Sequence, residues 1–290
     1  MADINKNIFA FNNSAFKKNT QVISVTSGKG GVGKTNISIN LAILLKQLNK
    51  KVLLFDADIH LGNVDVFLGL RPKDTIKDVV KGDKSIQETI IKGPKDIDIL
   101  PASSAVVDLL EQGTDVIRKL QNAFSEFENE YDVVVIDTGA GLSQNVVPFV
   151  LGGDKVVIAM TRDPASIADA YGMIKVIRKF KEKMPILLLP NMVKSSKEGE
   201  SLFKKMNLMV ERFLGSSINY GGAIEENELV RETIKKQKAI AAEHPNSQTV
   251  KKMKNLTRTL LTMPQEDSDN GAFFDKIVEY NNISIGEEND

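Results

Sequence analysis

A glycine-rich segment near the amino terminus, Gly28–Thr35, constrains the fold of this chain more than any other part of its sequence. It has the sequence GKGGVGKT, which fits the phosphate-loop pattern G-x-x-x-x-G-K-[ST]. Glycines lack a Cβ, so consecutive backbone N–H groups can point at phosphate oxygens where a helix begins. Lys34 is then expected to reach the β- and γ-phosphates, and Thr35 to offer a hydroxyl oxygen to Mg²⁺. A glycine-rich turn before an ordinary helix is the alternative interpretation.

The residues on either side of this segment favour the phosphate-loop interpretation. Val22–Val25 is a short run rich in β-branched residues, and Ile37–Leu48 is apolar on nearly every face. These patterns predict a buried strand before the loop and a helix buried against a sheet after it. Strand, loop and helix therefore follow in the order that a phosphate site requires. The residues expected to bind the nucleotide here are Gly28, Lys29, Gly30, Gly31, Val32, Gly33, Lys34, Thr35 and Asn36.

A second lysine inside the loop, Lys29, makes the segment more specific. The form K-G-G-x-G-K-T resembles the deviant phosphate loop of the MinD/ParA class of ATPases. In that class the extra lysine reaches across a dimer interface to the partner's nucleotide, much as an arginine finger acts in trans. The resemblance implies ATP and Mg²⁺ as cofactors, an ATP-dependent homodimer, and catalytic roles for Lys29 and Lys34.

Two carboxylates follow the next predicted strand, Lys51–Phe55. Asp56 and Asp58 come directly after it, and ligands of doubly wound sheets bind at the carboxyl ends of parallel strands. The resemblance assigns this stretch to the first switch. It implies that Asp58 orients the attacking water, while Asp56 supports Mg²⁺ through a water or holds the loop. A pair of solvated loop acids is the alternative.

A further apolar strand, Asp132–Ile136, ends in the sequence DTGAGL. Its first residue, Asp137, is placed as a Walker B carboxylate must be to bind the Mg²⁺ shell. The candidate metal ligands are therefore Thr35, Asp56 and Asp137. The glycines that follow give the backbone freedom to move, and the resemblance places the second switch here. The sequence DTGAGL is closer to the flagellar branch of the class than to the D-x-P-A-G of cell-division MinD.

Strands and helices continue to alternate beyond this point. Lys155–Met160 and Met184–Leu189 are predicted buried strands, separated by a helix from about Pro164 to Phe180. The alternation predicts an α/β fold: one doubly wound, mainly parallel sheet of about seven or eight strands with helices on both faces, as in a MinD-like P-loop NTPase. Asn191 matches the position at which the class contacts the adenine amino group. A turn-forming asparagine is the alternative.

Length and composition limit the organisation of the chain. With 290 residues, 42% of them apolar, it can bury a large core, and the absence of cysteine excludes disulfides and cysteine-ligated metal centres. We predict a flexible arm at 1–20, an ATPase domain at 21–264 and an acidic tail at 265–290. No signal peptide or spanning segment is evident, which predicts a cytoplasmic location, with peripheral contact at the inner membrane face as the alternative.

The formal net charge is zero but unevenly distributed. The tail has eight acidic residues and one lysine, or −7, so residues 1–264 carry +7. That charge is small for so large a body and argues against nucleic acid as a partner. In the tail, Phe273, Phe274, Ile277 and Val278 could form an apolar stripe on a short helix. The acidic charge opposes an anionic membrane, so we expect membrane contact to be weak.

The carboxyl third strengthens one branch of the resemblance. Phe213–Asn255, with its Q-K…P-N-S arrangement, resembles flagellar-number regulators of the FlhG type, also called FleN or YlxH. This implies an ATP-hydrolysing, dimerising switch that regulates flagellar number or placement. An FlhF-like GTPase and flagellar basal-body or regulatory proteins would be its partners. Three alternatives stay open: a MinD-type division-site selector, a ParA-type DNA partition ATPase, and an ATP-binding scaffold without hydrolysis.

Overall fold

A central sheet and two layers of helices make up the described part of the protein. The computed structural model describes residues 20–58, 62, 64–101, 130–143 and 146–264. The strands in this part of the chain are β1 (Gln21–Ser27), β2 (Val52–Ala57), β3 (Ile91–Lys92), β4 (Asp98–Leu100), β5 (Val133–Ala140), β6 (Lys155–Met160), β7 (Ile186–Val193), β8 (Asn219–Tyr220) and β9 (Ile224–Glu225). The helices are α1 (Lys34–Gln47), α2 (Val64–Leu68), α3 (Ile76–Lys81), α4 (Ile86–Thr89), α5 (Val147–Gly152), α6 (Pro164–Phe180), α7 (Ser196–Leu214), α8 (Glu228–Lys235), α9 (Ile240–Glu243) and α10 (Gln248–Thr262).

The strands are ordered β3-β4-β2-β5-β1-β6-β7-β8, with β9 also paired to β7. Every pairing is parallel except the one between β3 and β4. Each residue of β2 and of β6 is buried, because a parallel sheet is covered by helices on both faces. The predicted fold class is confirmed. The described part contains nine strands, more than predicted, because β3, β8 and β9 are two residues long and too short to show a hydrophobic period.

The strands β6 and β7 supply side chains to two hydrophobic cores, one on either face of the sheet. On one face α1 packs with α9 and α10, and on the other α5, α6 and α7 pack together. In β6, Val157 and Ala159 enter the first core, whereas Val156, Ile158 and Met160 enter the second. The alternation follows from the two-residue period of a strand. It fixes α1, and with it the loop before α1, firmly against the sheet.

A buried lysine attaches the last helix to the sheet. Lys155, at the start of β6, donates from Nζ to the carbonyl oxygens of Leu260 at 2.6 Å and Met263 at 2.7 Å. These carbonyls lie at the end of α10, where a helix leaves acceptors unsatisfied and attracts a cation. Burial lowers the pKa of Lys155. Most of the predicted arm, residues 1–19, and the whole predicted tail, 265–290, lie outside the described residues.

Candidate nucleotide-binding site

The phosphate loop connects β1 to α1 through two glycines in the left-handed region. Gly31 has a φ of 78° and Gly33 a φ of 90°, values that a residue with a Cβ adopts only under strain. Gly33 stands immediately before α1, and its carbonyl accepts from the N–H of Ile37 at 3.1 Å. The first N–H groups of this 14-residue helix therefore point toward the loop, as an anion site at a helix start requires.

Asn191 holds the loop from the neighbouring side. It lies in β7, is only 4% exposed, and donates from Nδ2 to the carbonyl oxygen of Val32 at 2.7 Å. A Cβ at Gly33 would stand 2.6 Å from the same Nδ2, so a side chain there would displace the amide. The structure thus places Asn191 against the loop, and its contact with adenine stays a prediction.

Lys29 lies on the surface of the loop and pairs with an acid of its own chain. Its Nζ is 2.7 Å from Oδ2 of Asp163, the residue before α6, and both side chains are about half exposed, at 47% and 45%. The hydrogen bond to Asp163 raises the pKa of Lys29, and the same bond lowers the pKa of Asp163. A residue that acts on a partner's nucleotide must be accessible, and Lys29 meets that condition. Its role in trans stays a prediction.

The two strand-end acids, Asp56 and Asp137, face each other across neighbouring strands. They are direct register partners in β2 and β5 and are 2% and 0% exposed. Asp56 accepts from the N–H of Asp58 at 3.1 Å and of Val64 at 3.0 Å. Asp137 accepts from the Ser38 hydroxyl at 2.8 Å through Oδ1. The alternative of solvated loop acids is therefore wrong for Asp56, since β2 extends past its predicted end and buries this carboxylate. β5 likewise extends past its predicted end and buries Asp137.

Burial and mutual repulsion weaken the acidity of this pair. Burial, followed by the charge of Asp137, raises the pKa of Asp56 to about 8. Burial also raises the pKa of Asp137 to about 6, while the Thr35 hydroxyl, the Lys34 ammonium and the Ser38 hydroxyl act in the opposite direction. Two buried carboxylates at paired positions of neighbouring strands repel each other, so a cation bound beside both of them would be stabilising.

The residues present fit a Mg²⁺ ion. Oδ2 of Asp137 is buried and has no hydrogen-bond partner among the described atoms, and Thr35 supplies a hydroxyl beside it. Hard oxygen ligands of this kind suit Mg²⁺. No group of three or more acidic or histidine side chains that could enclose a metal occurs in the described part of the chain. Mg²⁺ commonly takes its remaining ligands from phosphates and water, so a partial protein site is sufficient.

The acid pair makes the stability of the nucleotide-free protein dependent on pH. Asp56 has a raised pKa in the folded state, so the folded protein retains a proton that the unfolded chain releases. The free energy of unfolding then falls as the pH rises from about 5 to about 8. Asp56→Asn should reduce this dependence to the part that Asp137 contributes. The free energy of unfolding of wild type should therefore fall by at least about 1 kcal/mol more than that of the variant over the same range. Urea unfolding without Mg²⁺ measures the free energy of unfolding of wild type and of the variant at each pH. Parallel pH profiles of the two proteins would contradict the raised pKa of Asp56.

Asp58, at the start of the first predicted switch segment, lies beside Gly139 of the second. Asp58 is partly buried, and its Oδ1 lies 3.6 Å from the position that a Cβ on Gly139 would occupy. Gly141, two residues later, has a φ of 94°, a left-handed value that glycine adopts without strain. Residues 59–61 and 63 of the first segment lie outside the described residues. The structure brings Asp58 to the site, and its role toward water stays a prediction.

Sequence reasoning missed two members of the site, Ser38 and Asp163. Ser38 lies one helical turn after Lys34 and is a fully buried polar residue in a largely apolar helix. Residues four apart lie on the same face of a helix, so the spacing of Ser38 from Lys34 was the sequence signal that could have placed it at the site. Asp163 gave no comparable signal, because it lies 134 residues from Lys29 in the chain.

Comparisons with known proteins agree with this fold. A family model described as an AAA domain matches residues 20–188. The antiactivator FleN of Pseudomonas aeruginosa is 37% identical over 263 residues, covering 90% of this chain and 94% of FleN. The flagellum site-determining protein YlxH of Helicobacter pylori is 33% identical, covering 91% and 92%. The solved MinD cell division protein of Aquifex aeolicus is 26% identical with a TM-score of 0.66, covering 85% of this chain and 99% of that one.

Fold and site together define a P-loop nucleotide-binding protein with a MinD-like α/β architecture. Within that class, the chain belongs to the MinD/ParA-type family that includes FleN and YlxH. None of the helices in its described part is long and apolar enough to cross a bilayer.

Proposed function

We propose that this protein is a Mg²⁺-dependent ATPase that dimerises with ATP bound and acts as a switch regulating flagellar number or placement. One observation carries the proposal: the buried Asp137 carboxylate, with one oxygen unpartnered among the described atoms, lies beside Lys34 and Thr35 of the phosphate loop. This arrangement suits a metal-bound triphosphate.

Catalysis in such a site depends on positioning and electrostatics. Phosphoryl transfer to water requires little covalent chemistry from the protein. Mg²⁺, when bound, would neutralise phosphate charge next to Thr35 and Asp137. Lys34 and the N–H groups at the start of α1 would stabilise negative charge on the phosphates, while Asp58 would orient the attacking water. Lys29 of a second copy would complete the site.

The flagellar role rests on how far the resemblance extends. FleN and YlxH match about nine-tenths of the chain, including the carboxyl third in which the flagellar resemblance was noted. Their names describe an antiactivator and a flagellum site-determining protein. We therefore favour this role over division-site selection or DNA partition. An FlhF-like GTPase and flagellar basal-body or regulatory proteins are the proposed partners.

Replacement of the loop lysine tests the nucleotide site. Lys34→Ala should raise the Kd for ATP by roughly 10–100-fold, because charge-assisted hydrogen bonds to phosphate are lost. Fluorescent-nucleotide titration with Mg²⁺ measures the Kd. Lys51→Ala removes an exposed lysine away from the loop and serves as the control. Equal ATP affinity of Lys34→Ala and wild type would contradict the proposed site.

Removal of the tail tests the expected weakness of membrane contact. The charge of −7 in residues 265–290 should outweigh the apolar stripe, so we expect little sedimentation of the full chain with anionic liposomes, with or without ATP. A chain ending at residue 264 should keep wild-type ATPase activity. Strong ATP-dependent sedimentation that disappears in Phe273→Glu would contradict this prediction and show that the protein works on the membrane.

A further inference from the structure

The turn after α8 carries a glutamine where the local backbone favours glycine. The N–H of Gln237 bonds to the carbonyl of Ile234 at 2.9 Å, and the N–H of Lys238 bonds to the carbonyl of Thr233 at 3.0 Å. This pair of bonds is the Schellman helix ending, whose left-handed position is usually occupied by glycine. Gln237 has a φ of 55°, which is unfavourable for a residue with a Cβ. The helix ending alone therefore does not account for the glutamine.

A contact with a distant helix accounts for it. Nε2 of Gln237 donates to the carbonyl oxygen of Val66, in the middle of α2, at 2.9 Å. The same side chain covers Gly69, where a Cβ would stand 2.9 Å from the glutamine Oε1. The two segments are 171 residues apart in the chain. The strained residue thus connects the carboxyl third to α2.

The first turn of α2 is connected in turn to the candidate metal site. The N–H of Val64 donates to Oδ2 of Asp56 at 3.0 Å, and this bond is buried. Oδ1 of Asp56 accepts from the N–H of Asp58. Asp56 therefore joins the start of α2 to the backbone of Asp58 through two hydrogen bonds.

The turn that holds Gln237 is itself fixed to the phosphate-loop helix. The N–H of Ala241, just beyond the turn, donates to Oδ1 of Asn40 at 2.7 Å, and this bond is buried. Nδ2 of Asn40 donates to the carbonyl oxygen of Asn36 at 2.7 Å, in the first turn of α1. The turn that carries Gln237 is thus fixed to α1, and the Gln237 side chain bonds α2 to this fixed turn.

We propose that Gln237 is a positioning residue for ATP hydrolysis: it holds α2 in place against the phosphate-loop helix. Through the bonds of Val64 and Asp58 to Asp56, the position of α2 then fixes the backbone of Asp58. This inference rests on the ATPase function proposed above. Gln237 hydrogen-bonds none of the candidate nucleotide residues and acts through α2 alone. Its loss should lower kcat and leave ATP affinity unchanged, because the loop, Lys34 and Asn191 remain in place.

Two substitutions separate this role from helix ending. Gln237→Gly suits the left-handed backbone, so the end of α8 keeps its stability while the bond to Val66 is lost. Gln237→Glu keeps the side-chain length but has no N–H to donate. Both should lower kcat about tenfold, since small displacements of a catalytic group have effects of this size or larger. Both should also speed amide hydrogen exchange across Val64–Leu70 with an unchanged Kd for ATP. Gln248→Glu, at an exposed glutamine, is the matched control and should behave as wild type.

Each outcome decides the question. Wild-type kcat and exchange in Gln237→Gly would overturn the proposal. A loss of ATP affinity equal to the loss of kcat would overturn it as well, because the residue would then act on binding. If the wild-type protein itself does not hydrolyse ATP, the proposed function fails. In that case slow exchange of α2 in both variants would show independently that Gln237 does not hold this helix.

Discussion

Lys29→Ala should bind ATP as a monomer and hydrolyse it about 10³–10⁵-fold more slowly than the wild-type dimer. The expected size is that of a cation supplied in trans to a phosphoryl-transfer site. The loop backbone, Lys34 and Asn191 stay in place, so nucleotide binding should persist. Lys29 is half exposed and pairs with Asp163 of its own chain, so it is on the surface that a second copy would meet. Single-turnover hydrolysis and sedimentation equilibrium with ATP measure the two properties.

Two controls separate an action in trans from a local one. Lys51→Ala, an exposed lysine outside the loop, should dimerise and hydrolyse as wild type does. Asp163→Asn removes the ion pair within the chain but keeps Lys29, so it should retain most of the activity. Mixing Lys29→Ala with Asp58→Ala should restore hydrolysis in part, since one site of the mixed dimer has both residues. A monomeric Lys29→Ala with wild-type turnover would exclude the sandwich dimer.

The loop and the strand-end acids could be predicted because their physical causes are local. Consecutive glycines before a buried helix, and an aspartate at the end of an apolar strand, are visible within a few residues of one another. Asp56 and Asp137 were therefore assigned to the site. Their burial was not predicted, because a charged residue normally ends a strand, and here β2 and β5 continue past them.

The contacts that support the site could not be predicted from sequence patterns. Asn191 bonds to Val32 across 159 residues, and Gln237 bonds to Val66 across 171. Neither pair shares a period or a motif, and only the strand order and the packing of α8 bring the partners together. Gln237 was part of the Q-K…P-N-S resemblance, but sequence alone assigned it no contact. Its positive φ, which the sequence does not show, is the physical reason to look for a side-chain contact that explains a glutamine at this position.

Asp58→Ala should bind ATP and dimerise normally while hydrolysing ATP about 10²–10⁴-fold more slowly, the range for loss of a group that orients or deprotonates the nucleophile. Its carboxylate lies beside Gly139 of the second predicted switch segment. Asp56 and Asp137 are the candidate metal supports and remain intact, so Mg²⁺ and ATP should still bind. Single-turnover hydrolysis measures the rate, and size-exclusion chromatography with ATP measures the dimer.

The controls for Asp58 compare the same chemical change at another acid. Asp83→Ala removes an exposed carboxylate from the turn after α3, outside α2 and the candidate site, and should leave the rate unchanged. Asp58→Asn keeps the size of the side chain without its charge. If Asp58 acts through its carboxylate, Asn should be nearly as slow as Ala, whereas a merely steric role would leave Asn close to wild type. Wild-type rates in both Asp58 variants would contradict the assignment of Asp58 as the residue that orients the attacking water.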